Sequence, residues 1–474
     1  MKIKSGILLV VAVVLGASSC LFGYSGGYGT ALEPYQIANK ADFLELSGTP
    51  GDYDKIFVLT SDINLNGEVF DNSPIAEDIN NADAGFQGTV FTGIFDGGEY
   101  VISNLTIDVA DANDDYLGLF GRIEGLGIRI KNLRLKNINI IGGDISQPIG
   151  GICGENHLGT IDNCYVTGSI RGGCSSRVFG GICGNNYQGI INNCYATVVI
   201  AGYSFLGGIC GNNYLSDITN CYAISSVTGT MNIGGLCGSN YGGDLVNCYV
   251  VGTVTGGDGA GPMGGLCGIN NYIITTVSGQ KAQVYESNII DCYSESVVTS
   301  GANSGPVGGL CGSCSSNIKK SYSTGKVKAG INSVYVGGLC GHSYGSITNS
   351  FWDVETSGIG VLGGNNYGAT GKTTVQMQTG ATFTDAGWDF AGTWWINEGR
   401  NYPKLSYQPI ADFNSDGLVN FYDFAIMAIA WQATDSDTNY NRICELTGDS
   451  TIDEADLAVL AGLWLQGPLF PVVE

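Results

Sequence analysis

The sequence predicts a mostly β protein: a parallel β-solenoid followed by a small all-α module. Three observations carry this. Across residues 150–351 the phrase Gly-Gly-Ile/Leu-Cys-Gly occurs seven times, with its cysteine at Cys153, Cys183, Cys210, Cys237, Cys267, Cys311 and Cys340. Ten or eleven residues later comes Asn-Cys-Tyr, at Cys164, Cys194, Cys221 and Cys248; it recurs around Cys292 and decays to Ser321 and Ser350. Beyond Pro409 two acidic twelve-residue loops each precede a short apolar run.

Successive first-phrase cysteines are 30, 27, 27, 30, 44 and 29 residues apart. A self-similar period in this range marks stacked supersecondary units. Within a repeat the side chains alternate. Cys164, Val166, Gly168 and Ile170 share one parity, and Tyr165, Thr167 and Ser169 the other. Period two over short runs closed by glycine and asparagine means strand. Helix start and stop signals are missing from the repeats, and propeller blades run longer, about 40 residues or more. One repeat is therefore one coil, stacked on the next at about 4.8 Å.

Taken in order, residues 1–24 read as an export signal: Lys2 and Lys4, then an apolar run over residues 7–15, then small residues. Ala17-Ser18-Ser19-Cys20 leaves lipoprotein anchoring through Cys20 open beside secretion. The rest of the chain offers no transmembrane candidate. Residues 25–115 form a lead-in, in which Lys40-Ala41-Asp42-Phe43-Leu44 predicts a short helix. A segment covering the open end is expected, because bare parallel strands template association. Residues 116–351 are the solenoid, and residues 352–408, with Trp388, Trp394 and Trp395, its far cap. The tryptophans read as buried capping, with a sugar-stacking platform as the rival.

Sixteen cysteines in an exported chain suggest disulfides. The columns suggest packing instead, since Cys311 and Cys340 persist where the second column has become serine, and buried free cysteine acts as a small apolar residue. Coil-to-coil disulfides remain open. The net charge of −23, from 20 basic and 43 acidic residues, argues against nucleic acid or an anionic membrane as partner. It suits a secreted or surface protein.

The repeat resembles the bacterial GLUG-repeat proteins, in which Gly-Gly-Leu-Val-Gly is followed by Asn and then by Ile-x-Asn-Cys-Tyr-Ala-Thr-Gly. The match includes residues 180–184 and 191–197, with cysteine in place of the usual valine. The resemblance covers roughly residues 30–408 and implies a surface or secreted β-solenoid, without implying a reaction.

In the C-terminal loops, Asp412, Asn414, Asp416, Asn420 and Asp423 stand at positions 1, 3, 5, 9 and 12, with Gly417 at the sharp turn. Glu445, Thr447, Asp449, Asp453 and Asp456 repeat the pattern. Calcium needs six to eight oxygens, which such alternation supplies together with the carbonyls of Leu418 and Thr451 at position 7. The loop-helix pair resembles dockerin, the calcium-dependent module that docks onto cohesin domains. The resemblance implies a module over residues 409–474, two calcium sites, the second weaker because Thr447 and Ser450 depart from the pattern, and a cohesin-like partner. Phe421-Tyr422 and Glu454-Ala455 replace the Ser-Thr pair of cellulosomal dockerins, which leaves that partner unspecified.

His157 and His342 stand in turn regions beside neither a nucleophile nor a second ligand. The better functional candidate is the column Tyr165, Tyr195, Tyr222, Tyr249, Tyr293 and Tyr322, predicted to form an outward stripe. Stacked rings brace neighbouring coils, and the same rings would serve a glycan or partner protein. The sequence thus points to a non-catalytic binding or display scaffold anchored through a dockerin-like tail. A polysaccharide-degrading enzyme carrying a dockerin is the alternative, and a calcium-stabilised spacer a third reading.

Overall fold

The computed structural model describes residues 23–80, 85–110, 112, 114–275, 282–360, 367–413, 419–447 and 449–464. Residues 1–22 of the expected export signal, with Cys20, lie outside them. A coil is a closed circuit of four short strands, as in Ile149–Gly150, Cys153–His157, Thr160–Asp162 and Tyr165–Arg171. These strands stack into four parallel sheets, here the first to fourth faces, of 7, 8, 11 and 14 described strands. The register is that of the repeat: Cys153 lies on Cys183 and Cys183 on Cys210, Ile161 on Ile191, Tyr165 on Tyr195. The third face starts at Tyr35–Ile37 and runs to Ser346–Thr348, so the lead-in contributes strands to the same stack.

Local chemistry closes each circuit. The asparagine of Asn-Cys-Tyr takes a left-handed backbone, with φ 51° at Asn163, 50° at Asn193 and 51° at Asn220. Asparagine tolerates that region better than most residues because its short polar side chain bonds locally. Glycine is required at the first phrase, where a Cβ on Gly180 would lie 1.9 Å from the Cys183 carbonyl oxygen.

Both cysteine columns face inward and are buried as free thiols. The Cys292 thiol donates to the Ile290 carbonyl at 3.2 Å, and in the next coil the Ser321 hydroxyl donates to Lys319 at 2.8 Å. Serine thus keeps the cysteine's bond, which is why the column tolerates it. Beside the thiols an interior amide ladder runs Asn156, Asn186, Asn213, Asn240, Asn270, each Nδ2 donating to the next Oδ1 at 2.8 Å. Completely buried amides need such partners.

The open end is covered by α1 (Lys40–Gly48), capped by Asn39, with Phe43 and Leu46 buried. At the far end Thr370–Lys372 adds a last strand to Phe351–Asp353, near α2 (Val354–Ser357), α3 (Thr374–Met377) and α4 (Gly380–Thr384). The rest of the expected far cap, however, does not cover the end. It folds back along the fourth face. The C-terminal residues then build a separate small core from Ala411, Val419, Met427, Ala430, Cys444, Ile452 and Leu460 around α5 (Phe421–Ile429) and α6 (Glu454–Gly462).

Candidate functional site

The tyrosine column stacks as its parity predicts. Ring centroids are 4.2 Å apart for Tyr165 and Tyr195, 4.9 Å for Tyr195 and Tyr222, and 4.8 Å for Tyr222 and Tyr249. They are 5.0 Å apart for Tyr249 and Tyr293 and 4.9 Å for Tyr293 and Tyr322. The outward stripe is nevertheless not open. Tyr222, Tyr249, Tyr293 and Tyr322 are fully buried beneath Met377, Phe383, Trp388, Trp394, Leu405 and Tyr407, leaving Tyr165 and Tyr195 half-buried. The rings point away from the coil interior and form a second hydrophobic core with the returning chain. Polar tips anchor it: Trp394 Nε1 donates to Asp291 Oδ1 at 3.0 Å, Trp388 Nε1 to the Asn349 carbonyl at 2.9 Å, and Tyr293 Oη to Gln408 Oε1 at 2.8 Å.

Burial holds the four phenols neutral by pushing their pKa values well above the usual range. Their folded pKa lies above the unfolded value of about 10, so this contribution to stability is complete below pH ~10 and lost as pH rises beyond it. In a spectrophotometric titration these four should ionise only as the protein unfolds. Their reversible ionisation in folded protein near pH 10 would contradict the covered face.

Trp388 and Trp394 are buried, though in the fourth-face core and not over the solenoid end, while the half-buried Trp395 borders a 360 Å³ cleft that Glu295, Arg400, Lys404 and Asp412 also line. Both histidines are occupied. His157 Nδ1 lies 3.1 Å from Glu124 Oε1, and the His342 ring packs between Tyr335 and Tyr344, with centroids at 4.4 and 4.5 Å.

In the first C-terminal loop Asn414, Asp416 and Leu418 lie outside the described residues; Asp412, Asn420 and Asp423 are within them. Buried Asp423 accepts from Phe413 N at 2.8 Å and Asn420 N at 2.9 Å, while Asn420 caps α5. The second loop repeats the scheme. Buried Asp456 accepts from Leu446 N at 2.5 Å and Asp453 N at 3.0 Å, and Asp453 caps α6. A bridge between Thr434 and Thr451 ties the second loop to the chain following α5.

Carboxylate oxygens of Glu445, Asp449 and Asp456 all lie within 4.8 Å of one another. With calcium–oxygen distances of about 2.3–2.6 Å, opposed ligands sit up to ~5 Å apart, so the cluster fits one calcium ion. Thr447 Oγ1 stands 3.3 Å from both Glu445 Oε1 and Asp456 Oδ1. The Thr451 amide donates to Asp449 Oδ1 at 2.9 Å.

Sequence reasoning missed two features here. The first is Arg400, whose guanidinium pairs with Glu445 Oε2 and donates to the Glu445 carbonyl at 2.6 Å. No motif announces it. The second is another aromatic row, Tyr187, Tyr214 and Tyr241, on the second face. The repeated Cys-Gly-Asn-Asn-Tyr at residues 183–187 and 210–214 would have found it.

The family model described as the GLUG motif matches residues 149–171 and 229–255. Halomucin of Haloquadratum walsbyi (strain DSM 16790 / HBSQ001) is 30% identical over 151 residues, which is 30% of this chain and 2% of halomucin. The chain thus matches only a small fraction of that relative's length. Among solved structures, a Bacteroides ovatus protein provisionally described as an immunoglobulin A1 protease aligns over 81% of this chain and 95% of its own, at 22% identity and TM-score 0.42. An IgA1 protease aligns over 60% of this chain and 21% of its own, at 15% identity and TM-score 0.34. Among the described residues no helix is long and apolar enough to cross a membrane. Coils of this solenoid carry the GLUG motif at both matched stretches, and the two coils between them keep their register.

Proposed function

We propose that this protein is a non-catalytic binding and display scaffold, secreted or held at a bacterial cell surface. Its solenoid is the display surface, and residues 409–474 are a calcium-dependent dockerin-like module that engages a cohesin-like partner. The observation that carries the reading is the arrangement of α5. Its first turn is led by the capping Asn420, yet it exposes Phe421 and Tyr422 at 75% and 73%, and Ile429 further along at 75%. Such a cluster of exposed apolar side chains marks a contact surface. The cation-sized carboxylate cluster of the second loop supports the calcium reading.

Calorimetric titration of calcium into the full chain is the test, followed by capture on a cohesin panel with and without chelator. Two saturating sites, and capture abolished by chelator and by Phe421→Ala with Tyr422→Ala, are the expected results. A chain that takes up no calcium would sink the docking module and leave only the solenoid faces to carry function.

A further inference from the structure

With most of the fourth-face tyrosines covered, the second face presents a further aromatic row, half-buried as Tyr165 and Tyr195 are. Three lines of side chains run along the solenoid axis here, two from the second face and one from the adjoining strands of the first. The floor is an outward amide line: Asn185 Nδ2 donates to Glu155 Oε2 at 2.7 Å, and Asn212 Nδ2 to Asn185 Oδ1 at 2.8 Å. One wall is the ring row, in which Tyr187 and Tyr214 stack at 5.1 Å and 5°. The other wall is Val178 and Phe205. Together Val178, Phe205, Asn212, Tyr214 and Tyr241 line a 330 Å³ trough open to solvent.

The apolar wall is the telling part. Val178 and Phe205 sit at φ 65° and 57°, in the left-handed region that is costly for β-branched and bulky residues. The next coil places Asn232 at the equivalent site, φ 53°, aligned by the pairing of Ser204 with Met231 and Leu206 with Ile233. Flanking coils meet the equivalent site with Pro148 and Pro262, which cannot be left-handed, so the left-handed backbone is particular to these coils, and asparagine adopts it more cheaply. Valine and phenylalanine are strained choices, and strain of this kind collects at ligand sites.

The lining selects the ligand's chemistry. All five residues are neutral in a chain of net charge −23, so cationic and anionic polymers gain no paired charge. An asparagine amide offers two N–H donors and two lone pairs, and the ladder uses one of each at Asn185, leaving the rest for hydroxyls. Aromatic and aliphatic walls suit the apolar faces of sugar rings. A peptide that binds by adding a strand would need an unpaired strand edge, whereas the strands here are already paired coil to coil through the stack. We propose that this trough binds a linear neutral polysaccharide lying along the solenoid axis. The proposal rests on the scaffold reading of the solenoid and is independent of the docking tail.

Native affinity electrophoresis of the full chain tests it, in gels containing barley β-glucan, laminarin or galactomannan, with alginate as the acidic comparison. At least one neutral polymer should retard the protein. Phe205→Asn, which relieves the backbone strain and so preserves folding, should weaken that binding about tenfold or more, as should Tyr214→Ala. Tyr165→Ala on the fourth face should leave it unchanged. Retardation that survives Phe205→Asn and Tyr214→Ala overturns the trough and leaves the scaffold reading standing. No retardation by any neutral polymer, or retardation by alginate alone, overturns the ligand class.

Discussion

Trp394→Ala is expected to strip the returning segment from the fourth face at a cost of roughly 3–5 kcal/mol, the range for deleting a buried aromatic side chain. Trp394 is buried against Trp388 at 4.7 Å, Tyr322 at 6.1 Å and Tyr293 at 6.2 Å. Its loss would also leave the Asp291 carboxyl, whose pKa burial already raises, without its indole donor. The coils beneath are held by their own backbone ladders, so the damage should be local. Calorimetry should resolve an early transition, trypsin should cut within residues 374–408, and Tyr293 and Tyr322 should ionise near pH 10. A variant that melts as one unit at the wild-type temperature would show that the segment contributes little.

Arg400→Gln is the second large effect. Glu445 divides its carboxylate: Oε1 accepts from Thr447 N at 3.0 Å and Asp449 N at 3.2 Å inside the loop, while Oε2 faces Arg400. Arg400 thus positions a proposed calcium ligand from outside the loop. Losing such an outer partner typically costs about 10–100-fold in metal affinity. Glu445, Asp449 and Asp456 carry three negative charges, which one calcium and one guanidinium would balance. In the full chain, Arg400→Gln should therefore weaken the second calcium and leave the first unchanged, and Arg400→Lys should recover part of the loss by restoring charge. Breaking the buried pair should also loosen the tail from the solenoid, by about 3–5 kcal/mol, read as calcium-sensitive proteolysis near residue 409. Equal calcium affinity in wild type and Arg400→Gln would remove Arg400 from this role.

The repeat by itself determined the coil, its register and the inward parity of both cysteine columns. These depend on neighbours in the same strand or one coil away, and such neighbours recur in the sequence as columns. The twinned loops were legible for the same reason, since the residues that close each loop onto its helix lie within twelve positions. What only the tertiary structure decided is which outward row meets solvent. That depends on a segment far along the chain: Trp394 reaches back to Asp291 and Gln408 to Tyr293, contacts that no local period records. The same holds for Arg400, which stands 45 residues from Glu445 in a different structural unit. Alternation tells a side chain which way to point, but whether anything lies there is set by long-range packing. For that reason Tyr222 and Tyr214, both outward, on the fourth and second faces, end up one in a core and the other beside an open trough.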